Sequence, residues 1–389
     1  MLQDVARPVA APTGAVSSPG RIVIQAWLVS RGLIIGVALL LAVVQHRTLT
    51  DMVSNWDVQH FARLADGGYL SESSGTLMAF FPGWPLILAL FDQLGVPVVI
   101  SGVVLSTACS AVAAAAMYRL GGPWAAVAWL FAPTAVFTMV PYTESLFCAV
   151  AFWAWERARS DRWLAAVALT AVACTVRVSG LFLIGALLVM IFTSNNVTGV
   201  KLRRAALMLI PAAVIMAFAT YLYALTGSWT AWYQAQATGW VRELTWPWQS
   251  FLNTIPAVLP GAYPNHPWWA AVFRGALISM AVGVAVTVWC ILVSLRARKS
   301  PMGAERTMWG EASWVGVQVL AFSMSYWFFS VNRATLLWFP LWIMLGRWVA
   351  GPSRVSRPVH RLLVAVAFTV EIVLMGWWSW LFFTGHWAS

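Results

Sequence analysis

Apolar stretches able to cross a bilayer recur along the whole of this 389-residue chain, and they dictate what it can become. A helix needs about 20 residues to span roughly 30 Å of hydrocarbon. The pattern predicts about eleven spans, near 22–44, 97–118, 123–140, 143–156, 163–178, 180–194, 205–226, 269–293, 312–329, 334–346 and 362–383. The stretches 143–156 and 334–346 are short for a crossing, which admits broken or re-entrant helices there. The chain is 61% hydrophobic and 10% charged, where a soluble domain carries about 25% charged residues. No soluble fold hides that much apolar surface. The expected fold class is therefore all-α, a polytopic transmembrane helical bundle, with residues 21–389 forming one membrane domain and no soluble module. Residues 1–20, ending Val16-Ser17-Ser18-Pro19-Gly20, are poor in bulky apolar residues and read as a disordered cytoplasmic leader. They do not read as a signal peptide, because the apolar run that follows is too long and lacks a small-residue cleavage site.

The net charge of +11 raises nucleic acid as a partner, but the basic residues fall in short clusters between apolar runs, as topology-setting loop charges do. With the N-terminus cytoplasmic, the cytoplasmic side receives Arg7, Arg21, Arg119, Arg157, Arg159, Arg162, Lys201, Arg203, Arg204, Arg296, Arg298, Lys299, Arg306, Arg347, Arg354, Arg357 and Arg361, seventeen of the twenty-four basic residues. The opposite side keeps Arg47, Arg63, Arg177, Arg242, Arg274 and Arg333, while Arg31 lies inside the first span. This threading requires that the stretch from Phe80 through Gly95, which contains Pro82, Gly83 and Pro85, does not cross as a full helix; proline and glycine remove or weaken backbone bonds that lipid cannot replace. Cys109, Cys148, Cys174 and Cys290 all sit in apolar runs without paired spacing or a histidine cluster, so they read as core residues and not as a disulfide or zinc framework.

Two outer loops remain once the spans are removed, 45–96 and 227–268. The first collects Asp51, Asp57, His60, Arg63, Asp66 and Glu72; the second is dense in Trp, Tyr and Pro, from Trp229 to Trp269. Trp and Tyr at this depth either form an interfacial belt or stack on sugars. The spacing around Trp56-Asp57-x-x-His60-Phe61 predicts an amphipathic helix at the outer surface, with Trp56, His60 and Arg63 on one face and Asp57, Phe61 and Leu64 on another. Asp57 there is a solvated residue, a helix cap or a functional acid. Glu144, Arg177 and Arg333 fall at the outer ends of spans, where a charge faces a bundle interior or a wet cavity; for Arg333, snorkelling to the interface is the other reading. Arginine in such a place suits a phosphate, which it can hold through two parallel hydrogen bonds. Glu371, inside the last span, has no such reading.

The same residues carry a family resemblance. Asn55-Trp56-Asp57, Ala65-Asp66-Gly67-Gly68-Tyr69 and Ala79-Phe80-Phe81-Pro82-Gly83-Trp84-Pro85-Leu86 resemble the first-loop pattern of the PIG-V type mannosyltransferases. Pro141-Tyr142-Thr143-Glu144-Ser145-Leu146-Phe147, Arg177-Val178-Ser179-Gly180, Gln236-Ala237 to Trp240 with Trp246-Pro247, and Asn332-Arg333 with Phe339-Pro340-Leu341 follow in the family's order. Thr143 stands where the family usually has Ser, and Gly83-Trp84 where Leu-Tyr is more common. The resemblance implies a GT-C glycosyltransferase fold and transfer of mannose from a polyprenyl-phosphate donor to a lipid or glycan acceptor outside the cytoplasm. Residue by residue it implies Asp57 as the catalytic base, with Trp56, His60, Glu144, Arg177 and Arg333 as candidates for substrate binding. It also leaves room for a membrane partner subunit, with which some members of the family work. The compact length and the Trp and Arg content suggest a bacterial, actinobacterial member, hence a plasma-membrane protein with an outward-facing site.

The absence of a glycine-rich phosphate loop and of an Asp-x-Asp motif fits a donor that is not a nucleotide sugar, so no cofactor is expected and no metal ligands are assigned. The rival readings are a transporter or lipid flippase, which should show repeated halves and midplane charges, and a catalytically idle scaffold of the same fold. No convincing internal repeat is present, and the polar residues gather at one face instead of the midplane.

Overall fold

The computed structural model describes residues 18–299, 307–351 and 356–388. It is all-helical: no strand occurs among the described residues, and the one isolated bridge joins Leu244 to Ser325. The described part begins at Ser18, already in helix, so most of the expected leader lies outside the described residues.

Five helices are long and apolar enough to cross a membrane: Pro19–Gln45, Val98–Gly121, Thr198–Thr226, Pro267–Ala297 and Arg357–Phe383. They match the expected spans at 22–44, 97–118, 205–226, 269–293 and 362–383. The other expected spans are shorter or broken. The stretch 123–140 is a helix, Pro123–Leu130, followed by a 3-10 turn, Ala135–Thr138; Pro133 between them has no N–H to give and biases Ala132 away from helix. Likewise 334–346 divides into Val331–Ala334, Thr335–Leu337 and Phe339–Ala350, with Pro340 opening the last piece.

Burial explains why short helices suffice. Only 17% to 33% of each long apolar window is buried, so these helices form the rim that meets lipid. Glu144–Arg159, by contrast, carries Phe147, Phe152, Cys148 and Trp155 with no exposure at all, and packs against Val98–Gly121 and Trp163–Val176. At 16 residues it is about 24 Å long, too short for an average bilayer, but surrounding protein keeps its backbone out of hydrocarbon. At one end of the bundle its last turn is tied down by Glu156, whose Oε1 accepts from Arg119 Nε at 2.7 Å and whose Oε2 forms an ion pair with Arg157 Nε 2.8 Å away.

The opposite end is built by the two segments read as loops. Residues 45–96 fold into Leu49–Val53, Asp57–Gly67, a 3-10 turn Thr76–Ala79 and Gly83–Gln93. The amphipathic helix expected around residue 57 is present and buries Val58, Phe61 and Leu64. Gly83–Gln93 is a continuous helix of 11 residues, about 16 Å long and unable to cross; Pro85 lies in its first turn, where a missing N–H breaks no bond. Residues 227–268 supply Ala231–Trp240 and Pro247–Val258. The two segments clasp one another: Trp232 Nε1 and Gln236 Nε2 both donate to the Ala79 carbonyl, at 3.1 and 3.2 Å.

Two glycines let this end close. A Cβ on Gly83 would lie 2.8 Å from the Thr175 carbonyl oxygen, and one on Gly180 would lie 2.6 Å from Cys174 Cα. Both contacts fall within three residues of Arg177. Gly180→Ala is expected to cost about 1–3 kcal/mol, since the neighbour is backbone that cannot step aside; thermal unfolding in detergent measures it, and an unchanged midpoint would contradict the packing described.

Candidate functional site

Asp57 is the first residue of the helix Asp57–Gly67, where the helix dipole favours a carboxylate. Its backbone N–H donates to the Tyr142 hydroxyl at 3.2 Å, and its Oδ2 accepts from Arg333 Nη1 at 2.9 Å. Tyr142 is 2% exposed and packed among Phe61, Phe137 and Phe382. The Arg333 guanidinium rests over the rings of Phe137 and Tyr142 at 5.3 and 5.2 Å, a cation–π arrangement. Arg333 is reached through the short helix Val331–Ala334, and Asn332 beside it is fixed by a hydrogen bond to the Val272 carbonyl at 2.9 Å.

Glu144 starts the interior helix Glu144–Arg159 and is wholly buried. Its Oε1 accepts from Arg177 Nη1 at 2.7 Å and lies 3.7 Å from Arg333 Nε. Arg177, the residue that ends Trp163–Val176, also donates to Thr143 Oγ1 at 2.7 Å. Thus Asp57, Arg333, Glu144 and Arg177 form one chain of charges drawn from four separate parts of the sequence. Glu144 Oε2 has no hydrogen-bond partner among the described residues.

These groups border a cavity of about 110 Å³ lined by Asp57, Thr143, Arg177, Arg242, Ser330 and Arg333 on its polar side and by Phe80, Phe81, Trp232 and Trp240 on its aromatic side. Arg242 was not among the expected site residues. It lies against the rings of Phe322 and Phe329, each 5.8 Å away, and makes no ion pair among the described residues. Burial, together with Arg333 and Arg177 nearby, pulls its guanidinium down to about 10, still charged at neutral pH. Three arginines against two carboxylates leave the cavity one positive charge in excess, a setting that attracts an anion. Among the described residues no group of three or more His, Cys, Asp or Glu side chains gathers as a metal cage would require.

The sequence candidates divide by position. Asp57, Arg177 and Arg333 line the cavity; Glu144 lies behind the arginines and holds them. His60 stands in the wall, stacked on Phe80 at 5.2 Å with Trp240 edge-on at 5.9 Å, and does not line the cavity. Trp56 turns away toward a separate aromatic cleft. Tyr142, Arg242, Trp232 and Gln236 are the additions. Tyr142 and Gln236 stood within the motifs, and Arg242 was one of the few basic residues on this face, but nothing in the sequence distinguished them from packing or interfacial residues.

Backbone strain concentrates here. Five described non-glycine residues have positive φ, and Trp56 at 59°, Val241 at 53° and Ser330 at 61° directly precede Asp57, Arg242 and the segment carrying Arg333. Each costs on the order of 1–3 kcal/mol and persists where surrounding packing enforces it, as at functional sites.

Residues 28–246 match the Mannosyltransferase (PIG-V) family, more than half of the chain. The chain belongs to the PIG-V mannosyltransferase family. The five long apolar helices agree with a membrane setting. The GPI alpha-1,6-mannosyltransferase 2 of Rattus norvegicus is 33% identical over 155 residues, covering 35% of this chain and 31% of its own length. Those of Mus musculus and Homo sapiens are 33% and 32% identical with the same coverage. The match therefore spans less than a third of those relatives' own length. The family match takes in Asp57, Glu144, Arg177 and Arg242, and stops before Arg333.

Two outcomes follow from the charges. Glu144→Ala leaves Arg177 and Arg333 facing each other without their shared carboxylate and is expected to destabilise the protein by about 3–5 kcal/mol; an unfolding midpoint equal to wild type would show that the network is not a structural unit. Burial lowers the His60 pKa below the usual 6.5, against the opposing pull of Asp57 and Glu72 and with that of Arg63. The unfolded histidine then takes up its proton first, so the stability His60 supplies is present above pH 6.5 and is lost as pH falls toward the lowered folded value. His60→Phe should flatten that part of the acid limb, read as melting temperature between about pH 8 and 5.

Proposed function

We propose that this protein transfers a mannosyl group from a polyprenyl-phosphate donor to a hydroxyl of a lipid or glycan acceptor, at the extracytoplasmic face of a bacterial plasma membrane, with its N-terminus in the cytoplasm. The observation that carries this reading is the Asp57–Arg333–Glu144–Arg177 charge chain around a cavity that also holds Arg242, which makes no ion pair among the described residues. A basic cavity with a single carboxylate at its edge suits a leaving phosphate and a proton acceptor side by side.

An apolar groove of about 480 Å³ starts beside the arginines. Pro82 and Thr175 line it, while their neighbours Phe81, Val176 and Arg177 line the cavity, and Phe218 and Tyr221 continue it along the Thr198–Thr226 span. A polyprenyl chain lying there keeps its tail in an apolar setting and delivers its phosphate to Arg177, Arg242 and Arg333. An arriving phosphate competes for Arg333 and frees the Asp57 carboxylate that the arginine holds at 2.9 Å. Asp57 then accepts the acceptor hydroxyl's proton as that oxygen bonds to the anomeric carbon. The bond from that carbon to the phosphate oxygen breaks with its electron pair on the phosphate, leaving polyprenyl phosphate among the arginines. Glu144 keeps Arg177 and Arg333 in place throughout. The reading uses no cofactor and routes no step through a metal. A glycolipid acceptor is the analogy offered by the relatives' names, and room for a membrane partner subunit is what the family resemblance implies.

The test is sugar transfer in membranes supplied with labelled polyprenyl-phosphate mannose, at matched expression. Asp57→Asn is expected to lower turnover by about 10²–10⁴-fold, and Arg242→Ala to raise the donor KM with a smaller effect on kcat. Equal transfer by wild type and Asp57→Asn overturns the base assignment.

A further inference from the structure

The segment 227–268 closes over the basic cavity, and its two helices face different surroundings. Ala231–Trp240 places Trp232, Gln236 and Trp240 in the cavity lining and leaves Tyr233, Gln234 and Thr238 exposed, a side suited to water. Pro247–Val258 is built the other way round. Its buried positions, Ser250, Thr254 and Ala257, share one side at helical spacing. On and beside that side, Thr254 Oγ1 accepts from the Phe328 N–H at 3.0 Å, and Asn253 Nδ2 donates to the Tyr326 carbonyl at 2.9 Å. The opposite side carries Trp248 at 61% exposed and Leu252 at 55%, with exposed Phe251 beside them. Trp246, 66% exposed, stacks on Trp248 at 5.1 Å and extends the same surface.

A helix in water turns its polar side outward. This one turns its polar side to the protein and an aromatic side away from it, and no Asp, Glu, Lys or Arg occurs from 244 to 273. Its depth agrees with an apolar setting. Arg274 Nε donates to the Val258 carbonyl at 2.9 Å, so the helix ends beside a point two turns into the span Pro267–Ala297. That span has 31 residues; at 1.5 Å per residue it is about 46 Å long and exceeds roughly 30 Å of hydrocarbon by about 8 Å at either end. Arg274 is about 10 Å along it, at the border between hydrocarbon and headgroups, the depth that Trp favours. One turn further on the same side, Ile278 is exposed, and so is Leu259 just past the end of the short helix. The lipid-facing surface of the span therefore continues onto Pro247–Val258.

We infer that Pro247–Val258 lies in the plane of the bilayer interface on the cavity side, with Trp246, Trp248, Phe251 and Leu252 immersed among headgroups and upper acyl chains, so that the partner of this surface is lipid. The residues joining it to Ala231–Trp240 include Arg242. The arginine that faces the cavity is thus carried on a short bridge whose far end is held by the membrane. Protein pins the bridge once on the way, where the Thr245 N–H donates to the Met324 carbonyl at 2.9 Å. The bilayer then sets the height at which Arg242 meets a phosphate arriving along the membrane. That consequence rests on the transferase reading; the immersion of the helix does not.

The experiment places the full chain in phosphatidylcholine nanodiscs and attaches an environment-sensitive nitrobenzoxadiazole label to Trp248→Cys or, as the water-facing control, Thr238→Cys. Cys148, Cys174 and Cys290 are buried and Cys109 is partly so; label taken up without an added cysteine is subtracted. Phosphatidylcholine carrying a doxyl group at acyl carbon 5 should quench the label at 248 several-fold more than aqueous iodide does, and the order should reverse at 238. The inference is overturned if iodide quenches both positions alike, which puts the helix in water, or if neither quencher reaches 248, which puts protein over it. Trp246→Ser combined with Trp248→Ser should leave the melting temperature in detergent unchanged and raise the KM for polyprenyl-phosphate mannose several-fold in membranes. An unchanged KM overturns the tie between the anchor and Arg242. Absence of transfer by wild type overturns the transferase reading, while the quenching result stands on its own.

Discussion

Glu144, with no exposed surface, is the charge around which this end of the protein is arranged. A buried carboxylate is tolerable only when opposite charge and hydrogen bonds surround it. Arg177 and Arg333 provide that, and each is brought in by a different segment: the end of Trp163–Val176 and the short helix Val331–Ala334. Arg333 then reaches Asp57, so a first-loop acid is positioned by an ion pair whose other members come from the interior of the bundle. The charges do double duty, holding segments together and leaving net positive charge at the cavity.

The architecture that shelters these charges inverts a simple expectation about membrane proteins. The longest apolar helices form the rim, while Glu144–Arg159 and its short neighbours form the interior. Interior helices are freed from matching the bilayer, and their ends can stop part-way, where they place Glu144, Arg177 and Arg333 around one space. Close approach at Gly83 and Gly180 brings the first-loop segment and the following helix tightly against the turn carrying Arg177. The second segment completes the enclosure through Trp232 and Gln236 on the Ala79 carbonyl.

The motif Asn55-Trp56-Asp57 shows how much a sequence pattern can hide. Its three residues do three different things: Asn55 bonds the Phe382 carbonyl at the end of the last helix, Trp56 walls the aromatic cleft, and Asp57 meets Arg333. The motif was readable as a site marker, and Asp57, Arg177 and Arg333 as its polar lining. Arg242 was not separable from an interfacial arginine, because its distinction is an environment supplied by Val241, Phe322 and Phe329 and not by any spacing. His60 shares a helical face with Trp56 on paper, but its ring is taken up by Phe80 and Trp240.

The sequence by itself determined that this is an all-helical membrane protein, which long apolar runs and a 10% charged content require of any chain in water or lipid. It also determined where the five rim helices run, because an element that meets lipid must carry its own unbroken apolar length. What only the tertiary structure decided is which short segments are sheltered and which polar groups meet. Glu144 and Arg177 are 33 positions apart, and Asp57 and Arg333 are 276 positions apart. Local periodicity reports a residue's own face and not the partner that will neutralise it, so burial of charge, the strongest constraint at this site, becomes visible only once distant segments are packed together.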